Sequence, residues 1–574
     1  MKKVILTGFP KDYSEDKYIL FNISNFVGHE EKYELFKNDL KVDYRISIEE
    51  CIKYGEQTSD QTLLLLSDFS KYFNKFYKTK YSYNFWKIIL YPCLVSIIQY
   101  FYDNQLKVEK FIEYYKYESL VLELIEENTD WKIRDSNHLQ SEMYSNKLLN
   151  HWILSRIFES NLPSNWVVKY KKITHKNLTD QVLRIPNSLS VQKKYSFNFK
   201  KNVRDFIVKN LNIRVGEVYG MGLIDRFLFT KILSLKTGIN FLAKDDVPDI
   251  SSQNKIKWNF DYLKYCKQLI PISKFNLNLD YNSTTKKGKI RLYTNDLFTN
   301  LNSKVTAAFQ SENGDLIVVT QHGGYKYGYG YVNEVVKNIE LKQDYFISWG
   351  WKDPKIKTVI PLPSPLLNGK KNNLNESNKE ILLVGTSANF HRKRFVPDLP
   401  PDFIFEYRKQ KIKFIQKLNQ KVYSNFYYRP YPHNKWCLKD ESYALKCIPN
   451  LKILRGNLHK SLSKSRLLVL DHPGTTLAVS MAMNTPTVLF FSSDHYPMIG
   501  DAKEIFSVFK KHNIYHPDIE SAAKFINNNY DTIHNWWKSV PVQNARQEFL
   551  LKFANVDNNW RIKWIKSLWK IGSN

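Results

Sequence analysis

One segment near the C-terminal end constrains the fold more than any other: Arg466 to Phe491, RLLVLDHPGTTLAVSMAMNTPTVLFF. Leu467 to Leu470 is a short, continuous apolar run, the pattern of a parallel strand buried on both faces. Asp471, His472, Pro473 and Gly474 interrupt it. Thr475 and Thr476 suit the start of a helix, and Ala478, Met481 and Ala482 give that helix a face of small and flexible residues. Thr487 to Phe491 is a second apolar strand. The order strand, tight loop, helix, strand predicts a βαβ unit. A loop at the carboxyl end of such a strand opens onto a helix N-terminus, where free N–H groups and the positive dipole end suit a phosphate.

The same alternation runs through the preceding hundred residues. Ile381 to Val384, Phe426 to Arg429 and Leu451 to Leu454 read as strands, Phe403 to Lys421 as a helix, and a further helix starts at Asp518. Residues 364–379, rich in Asn, Lys, Gly and Ser and led by Pro361, Pro363 and Pro365, read as a linker. Before them, Lys3 to Thr7, Val218 to Gly222, Ile290 to Tyr293, Leu316 to Thr320 and Tyr345 to Trp351 are expected strands. Aromatic residues at helical spacing from about Ser59, among them Phe69, Tyr72, Phe73, Phe76 and Tyr77, read as core packing. The expected organisation is an N-terminal α/β domain over 1–363 with a helical insertion at about 59–210 and a linker at 364–379. A nucleotide-binding α/β domain over 380–532 and a helical tail over 533–574, packing back across the domains, complete it.

Composition narrows the class. With 43% hydrophobic residues in 574, the chain is globular and long enough for more than one core. A formal charge of +29, from 85 Lys and Arg against 56 Asp and Glu, favours an anionic partner. The lysines are scattered rather than blocked, and no basic patch carries the aromatic interleaving of an RNA-binding module, so nucleic acid is not the expected partner. The five cysteines, Cys51, Cys93, Cys266, Cys437 and Cys447, are dispersed and form no CxxC pair. That argues for a reducing compartment with neither disulfide framework nor structural zinc. The N-terminus lacks a signal-peptide pattern. The apolar stretch Ile88 to Ile98 is too short to span a bilayer and contains Pro92, so a buried helix is expected. The expected location is cytoplasmic, with peripheral contact at the inner membrane.

Four motifs carry candidate chemistry. In Asp471 to Thr476, His472 can donate to a phosphate oxygen, Gly474 admits close backbone approach, and the hydroxyls and N–H groups of Thr475 and Thr476 complete the cradle. In Gln321-His322-Gly323-Gly324, directly after a strand, His322 suits a general base, and Gln321, Gly323 and Gly324 suit a substrate contact. Gly385-Thr386-Ser387, followed by His391 to Arg394, combines hydroxyls with a basic cluster; Ser387 is assigned to the phosphates and Arg394 to the substrate. Arg429, with His433 near it, ends another expected strand and is a further phosphate candidate. Glu217, Asp225, Arg226 and Glu334 are additional carboxylates and partners among which the sequence does not choose. There is no P-loop, GxGxxG, HExxH or GxSxG pattern and no DxD metal motif, so no metal or cofactor is expected beyond the donor substrate.

FWKIILYPCLVSIIQYFYD (85–103), VVTQHGGYKYG (318–328), YFISWGW (345–351) and LDHPGTTLAVSMAMNTPTVLFF (470–491) together resemble a group of bacterial transferases encoded in O-antigen and surface-polysaccharide loci. The last segment is also similar to the nucleotide half of GT-B glycosyltransferases that use CMP-activated ulosonic acids of the Kdo, sialic and pseudaminic type. The resemblance implies two Rossmann-like domains of GT-B type, the N-terminal one carrying the helical insertion. It implies that His472 and Pro473 contact the CMP phosphate, that Thr475 and Thr476 help hold it, and that Gln321 to Gly324 match the family's QHGG segment. The implied partners are a nucleotide-sugar donor and a glycan or lipid-linked acceptor. UDP- or GDP-sugar donors, and a non-catalytic glycan- or nucleic-acid-binding role on the same scaffold, are the alternatives.

Overall fold

Among the described residues three parallel sheets organise the chain, one more than the sequence suggests. The computed structural model describes residues 1–127, 131, 133, 136–173, 218, 220–234, 255–270, 290–294, 297, 300–369, 378–387, 389, 391, 394–431 and 438–571. The first sheet, in the order β2-β1-β3-β4, consists of β1 (Lys2–Ile5), β2 (Tyr18–Leu20), β3 (Leu120–Ile125) and β4 (Val167–Lys171). The second holds β5 (Ile290–Tyr293), β6 (Leu316–Thr320), β7 (Tyr345–Ser348) and β8 (Val359–Pro361) in sequence order. The third, in the order β10-β9-β11-β12-β13, holds β9 (Ile381–Val384), β10 (Phe426–Arg429), β11 (Leu467–Leu470), β12 (Thr487–Phe490) and β13 (Tyr515–His516). Every pairing between these strands is parallel.

The described residues of 1–363 therefore form two sheets. The stretch read as a helical insertion contributes β3 and β4, which pair at the side of β1 opposite β2. Short strands between long helices leave little alternation to read, so the pairing of β1 with residues more than a hundred positions away was not visible in the sequence. Val218 and Gly220 to Gly222, expected as a strand, form a turn instead, with Gly220 at φ +87° pressed against the backbone of Leu366. Leu451 to Leu454 contributes only an isolated bridge from Ile453 to Tyr428.

Helices α1 (Ile48–Tyr77) and α2 (Tyr83–Tyr115) form an antiparallel pair of long helices beside the first sheet. Ser47 and Glu50 close α1 with a capping box, and Ser82 caps α2 through the N–H of Phe85. By length and composition α2 could cross a bilayer, yet most of its apolar window is buried inside the protein. Gln99, Asp103, Asn104 and Gln105 on it are buried as well, so it is a core helix, as expected for Ile88 to Ile98. Pro92 lacks the N–H that would bond one turn back, and Ser96 donates to the Pro92 carbonyl (2.9 Å). Helix α3 (Lys147–Glu159) covers β3.

The third sheet packs between α4 (Ile404–Gln416), α5 (Asp440–Cys447), α6 (Thr475–Met483) and the later helices. Beyond it, α7 (Val540–Phe553) lies on α6, and α8 (Trp560–Ile571) buries Trp560, Trp564 and Leu568 in the core of the second sheet. Asn555, between them, donates its N–H to the Trp349 carbonyl and accepts from Ser364. The tail thus touches both the second and the third sheet.

Candidate functional site

The strand order of the third sheet places its reversal between β9 and β11. In open α/β sheets the crevice beyond the carboxyl ends of the strands at such a reversal is where ligands bind. Gly385 to Ser387 follow β9 and Asp471 to Gly474 follow β11, so two of the candidate motifs meet at this point. Both Asp471 carboxylate oxygens accept the Thr386 N–H (3.0 and 3.1 Å). Asp471 is fully buried, and Tyr407 donates to its carbonyl (2.8 Å). Lys411, also buried, reaches the Thr386 carbonyl at 2.6 Å, Asp440 at 2.5 Å and Asp471 at 3.9 Å. Burial alone would lower its pKa, but Asp440, Tyr428 and Asp471 raise it above the usual lysine value. The ammonium therefore stays charged and ties the two loops together from below.

Asp471 also fixes the histidine. His472 Nδ1–H donates to Asp471 Oδ1 at 2.8 Å, which leaves Nε2 as the ring atom available to a ligand. Gly474 is the N-cap of α6, and no side chain caps that helix. A Cβ on Gly474 would stand 2.4 Å from His472 Nε2, so the glycine is what lets the imidazole lie over the helix start. An oriented imidazole beside an uncapped helix N-terminus is an anion-binding arrangement.

The second sheet closes on this loop. The Gly324 N–H donates to Thr475 Oγ1 (3.1 Å), and Tyr329 Oη donates to the Gly474 carbonyl (3.3 Å). Gly324 is there for space: a Cβ would lie 2.2 Å from Tyr329 Oη and 3.0 Å from the Gly474 carbonyl oxygen. The carboxyl ends of β6 and β11 thus face each other, the GT-B-type relationship expected of the Rossmann-like sheets. His322, mostly buried, has Tyr327 Oη 3.1 and 3.2 Å from its two ring nitrogens. Tyr327 in turn donates to Glu340 Oε2 (2.7 Å). Burial pushes the His322 pKa down to about 4 and that of Glu340 up to about 8, so both are uncharged at neutral pH. Tyr327 and Glu340 were not foreseen. Glu340 sits on a π-helical turn twenty residues beyond the strand, where no local pattern marks a partner for His322.

The remaining expected residues divide. Ser387 lies half-buried next to Thr386. Thr476 is in the first turn of α6 beside Thr475, and Pro473 is buried between His472 and Gly474. Gly323 has Thr475 Oγ1 3.5 Å from its Cβ position. Arg429 ends β10, the strand next to β9, and lines a cavity of about 400 Å³ with Arg455, Glu441 and Asp440. Its Nη2 donates to the Gly456 carbonyl (2.9 Å), while its buried Nη1 has no partner among the described residues.

Two residues expected to bind substrate do other work. Gln321 is buried; its amide donates to the Gly323 carbonyl, and its oxygen accepts the Trp349 N–H and Trp351 Nε1–H (2.8 Å each). It braces the loop from within. Arg394 is buried against α2, paired with Asp103 at 2.5 Å and bonded to the Tyr44 carbonyl. A basic run reads as a solvated or ligand-facing loop until the acid that neutralises it, nearly 300 residues away, is known. His433 and Glu217 lie outside the described residues. Asp225 is held by Arg561 (2.6 Å), and Glu334 accepts from Asn338 (3.3 Å).

Residues 3–568 match the family described as LIC12162 family transferase. The chain belongs to this family. The LIC12162 match spans the three described sheets and most of the tail. No curated protein is detectably similar in sequence. Solved structures with partial likeness to this family member include Acinetobacter baumannii MurG, at 11% identity and TM-score 0.28 over 47% of this chain and 71% of MurG. The wall teichoic acid polymerase TagF shows 11% identity and TM-score 0.28 over 50% of this chain and 81% of that one. WaaG, a glycosyltransferase involved in lipopolysaccharide biosynthesis, shows 14% and 0.26 over 46% and 82%.

Proposed function

We propose that this transferase is a glycosyltransferase of surface-polysaccharide assembly that takes a CMP-linked nonulosonic acid as donor and a glycan or lipid-linked acceptor. The observation that carries the reading is the carboxylate-held His472 over the uncapped start of α6, at the strand reversal of the third sheet. The donor's phosphate sits against the α6 N–H groups and His472 Nε2, which donates to it when the ring carries a proton on both nitrogens, with Thr476 beside them. The 400 Å³ cavity at Arg429, one strand over, supports this reading as a site for the nucleoside.

In the transfer, an acceptor hydroxyl oxygen forms a bond to the anomeric carbon of the sugar. The bond from that carbon to the phosphate oxygen breaks, and its electron pair leaves with CMP. His472 and the helix N-terminus stabilise the added charge on the phosphate, the task a metal ion performs in other transferases. The proton of the acceptor hydroxyl passes to His322, whose neutral ring holds a lone pair for it; the burial that lowers its pKa to about 4 makes it a weak base, and the transfer is completed as the bond to the phosphate oxygen breaks. The excess of basic residues draws the anionic donor and favours contact with an anionic inner-membrane surface.

Thermal-shift melts with CMP, CDP, UDP and GDP, each with and without EDTA, test the donor. A rise in melting temperature for the cytidine nucleotides that EDTA leaves unchanged is the expected result. A rise for UDP or GDP alone replaces the donor, and no rise with any of them removes the nucleotide reading.

A further inference from the structure

The tip of the helical hairpin formed by α1 and α2 departs from one expectation. Of the aromatic residues read as core packing there, Phe69 and Phe73 are buried and Tyr77 is half-buried. Tyr72 and Phe76 are instead 46% and 55% exposed. They stand one helical turn apart, with ring centroids 6.2 Å from each other. The five rings span a wider arc than the core covers at the end of α1, and these two fall at its outer edge.

The turn that presents them is built. Asn74 Nδ2 donates to the Tyr81 carbonyl (2.8 Å), and its Oδ1 accepts from the Tyr81 N–H, the Thr79 hydroxyl and Trp86 Nε1–H (3.0 Å each). Lys78, at φ +54°, ends α1 in the left-handed region, and the Thr79 N–H returns to the Asn74 carbonyl (2.9 Å). Phe73 packs on Trp86, 5.2 Å between ring centroids. Tyr72 and Phe76 are thus held outward on a fixed frame.

Cations surround the pair. Lys71, Lys75, Lys78 and Lys80 are exposed, and none has a carboxylate partner among the described residues. Asp68 is the one acid in the stretch 68–80. Across the turn, Glu312 is taken up by the N–H and hydroxyl of Ser82 (3.0 and 2.6 Å). A phenylalanine ring calls for an apolar contact, and the ammonium groups around it call for anions. The interface of an anionic bilayer offers both within the span of one helical turn, and a tyrosine, with its apolar body and polar tip, suits the headgroup level. A second copy of the chain would set these lysines against their own kind.

We propose that this hairpin tip docks on an anionic phospholipid surface, with Tyr72 and Phe76 entering the headgroup region and Lys71, Lys75, Lys78 and Lys80 pairing with lipid phosphates. Earlier in α1, the Cβ position of Gly55 is 3.2 Å from the Phe395 carbonyl oxygen, in the segment after β9. Phe76 lies roughly 30 Å further along the helix at 1.5 Å per residue, so substitutions at the tip do not reach that segment. In bringing the enzyme to a lipid-linked acceptor the docking rests on the transferase reading above; as a membrane surface it does not.

Flotation of the full chain with vesicles of phosphatidylcholine, and of phosphatidylcholine with one-third phosphatidylglycerol, tests it. The variants are Tyr72→Ser with Phe76→Ser, Lys75→Glu with Lys78→Glu and, as a charge-matched control on the helix Ala502–Lys511, Lys510→Glu with Lys511→Glu. Melting curves check folding. The wild type is expected to bind the anionic vesicles at least tenfold more tightly than the neutral ones. Each hairpin double variant weakens that binding at least tenfold and the control by less than about twofold, and all three keep the nucleotide-induced rise in melting temperature. No binding to anionic vesicles, unchanged binding without Tyr72 and Phe76, or an equal loss in the control overturns the proposal. So does an oligonucleotide that binds through the same residues more tightly than the vesicles, or a wild-type dimer that Phe76→Ser dissolves. Hairpin-dependent vesicle binding in a protein that no nucleotide stabilises leaves this surface standing and removes the donor reading instead.

Discussion

Gly324 and Thr475, on loops after strands of different sheets, are joined by a hydrogen bond from the Gly324 N–H to Thr475 Oγ1 at 3.1 Å. It ties the loop bearing His322 to the loop bearing His472. Gly324→Ala pushes a methyl group to 2.2 Å from Tyr329 Oη and 3.0 Å from the Gly474 carbonyl. A destabilisation of about 1–3 kcal/mol is expected in urea denaturation, with transferase activity falling further than stability accounts for.

Gly474→Ala separates binding from folding. Its Cβ meets only the far end of the His472 side chain, at 2.4 Å from Nε2. The imidazole can swing away, so the melting temperature should change by a few degrees at most while nucleotide affinity drops at least tenfold. Titration calorimetry beside a melting curve reads both.

Glu340 sets a pH dependence. Its pKa in the folded protein is raised to about 8 from an ordinary 4.5, chiefly by burial. The unfolded chain loses this proton near pH 4.5 and the folded chain keeps it to about pH 8. Stability from this group is therefore complete below pH 4.5 and declines as pH rises toward 8. Glu340→Gln keeps a partner for Tyr327 and removes the titration. The variant should be more stable than wild type at pH 8, by an amount on the order of a few kcal/mol, and the difference should vanish near pH 4.5. Denaturation curves at three pH values check this. His322 acts in the opposite sense: its pKa is lowered to about 4 by burial, so its contribution is present above pH 6.5 and lost as pH falls toward 4.

Arg394 is a structural residue on this account. Arg394→Ala leaves Asp103 buried with Lys107 alone, and a loss of roughly 3–5 kcal/mol in stability is expected. Whatever activity remains should show an unchanged KM for the donor. A raised KM in a variant that stays folded would return Arg394 to the substrate.

What the sequence discloses follows from range. The βαβ unit at Arg466 to Phe491 is legible because strand, loop and helix signals are contiguous, and the structure has β11, α6 and β12 there. The meeting of Gly324 with Thr475 is not legible, since their loops are 151 residues apart and no local pattern encodes the approach. The glycines themselves were visible, and their reason, the bulk of Tyr329 and His472, was not. Arg394 and Gln321 misled for one reason: polar side chains after strands look available until their buried partners, Asp103 and Trp351, are in place. The first sheet escaped notice because β1 and β3 are short and separated by two long helices.

The central claim is that His472, held by Asp471 over the start of α6, binds the donor's phosphate. Titration of CMP into wild type and His472→Ala, in excess EDTA and at equal melting temperature, tests it most directly. The account predicts saturable, EDTA-insensitive binding to the wild type and at least tenfold weaker binding to the variant. Equal affinity in the two proteins would contradict it.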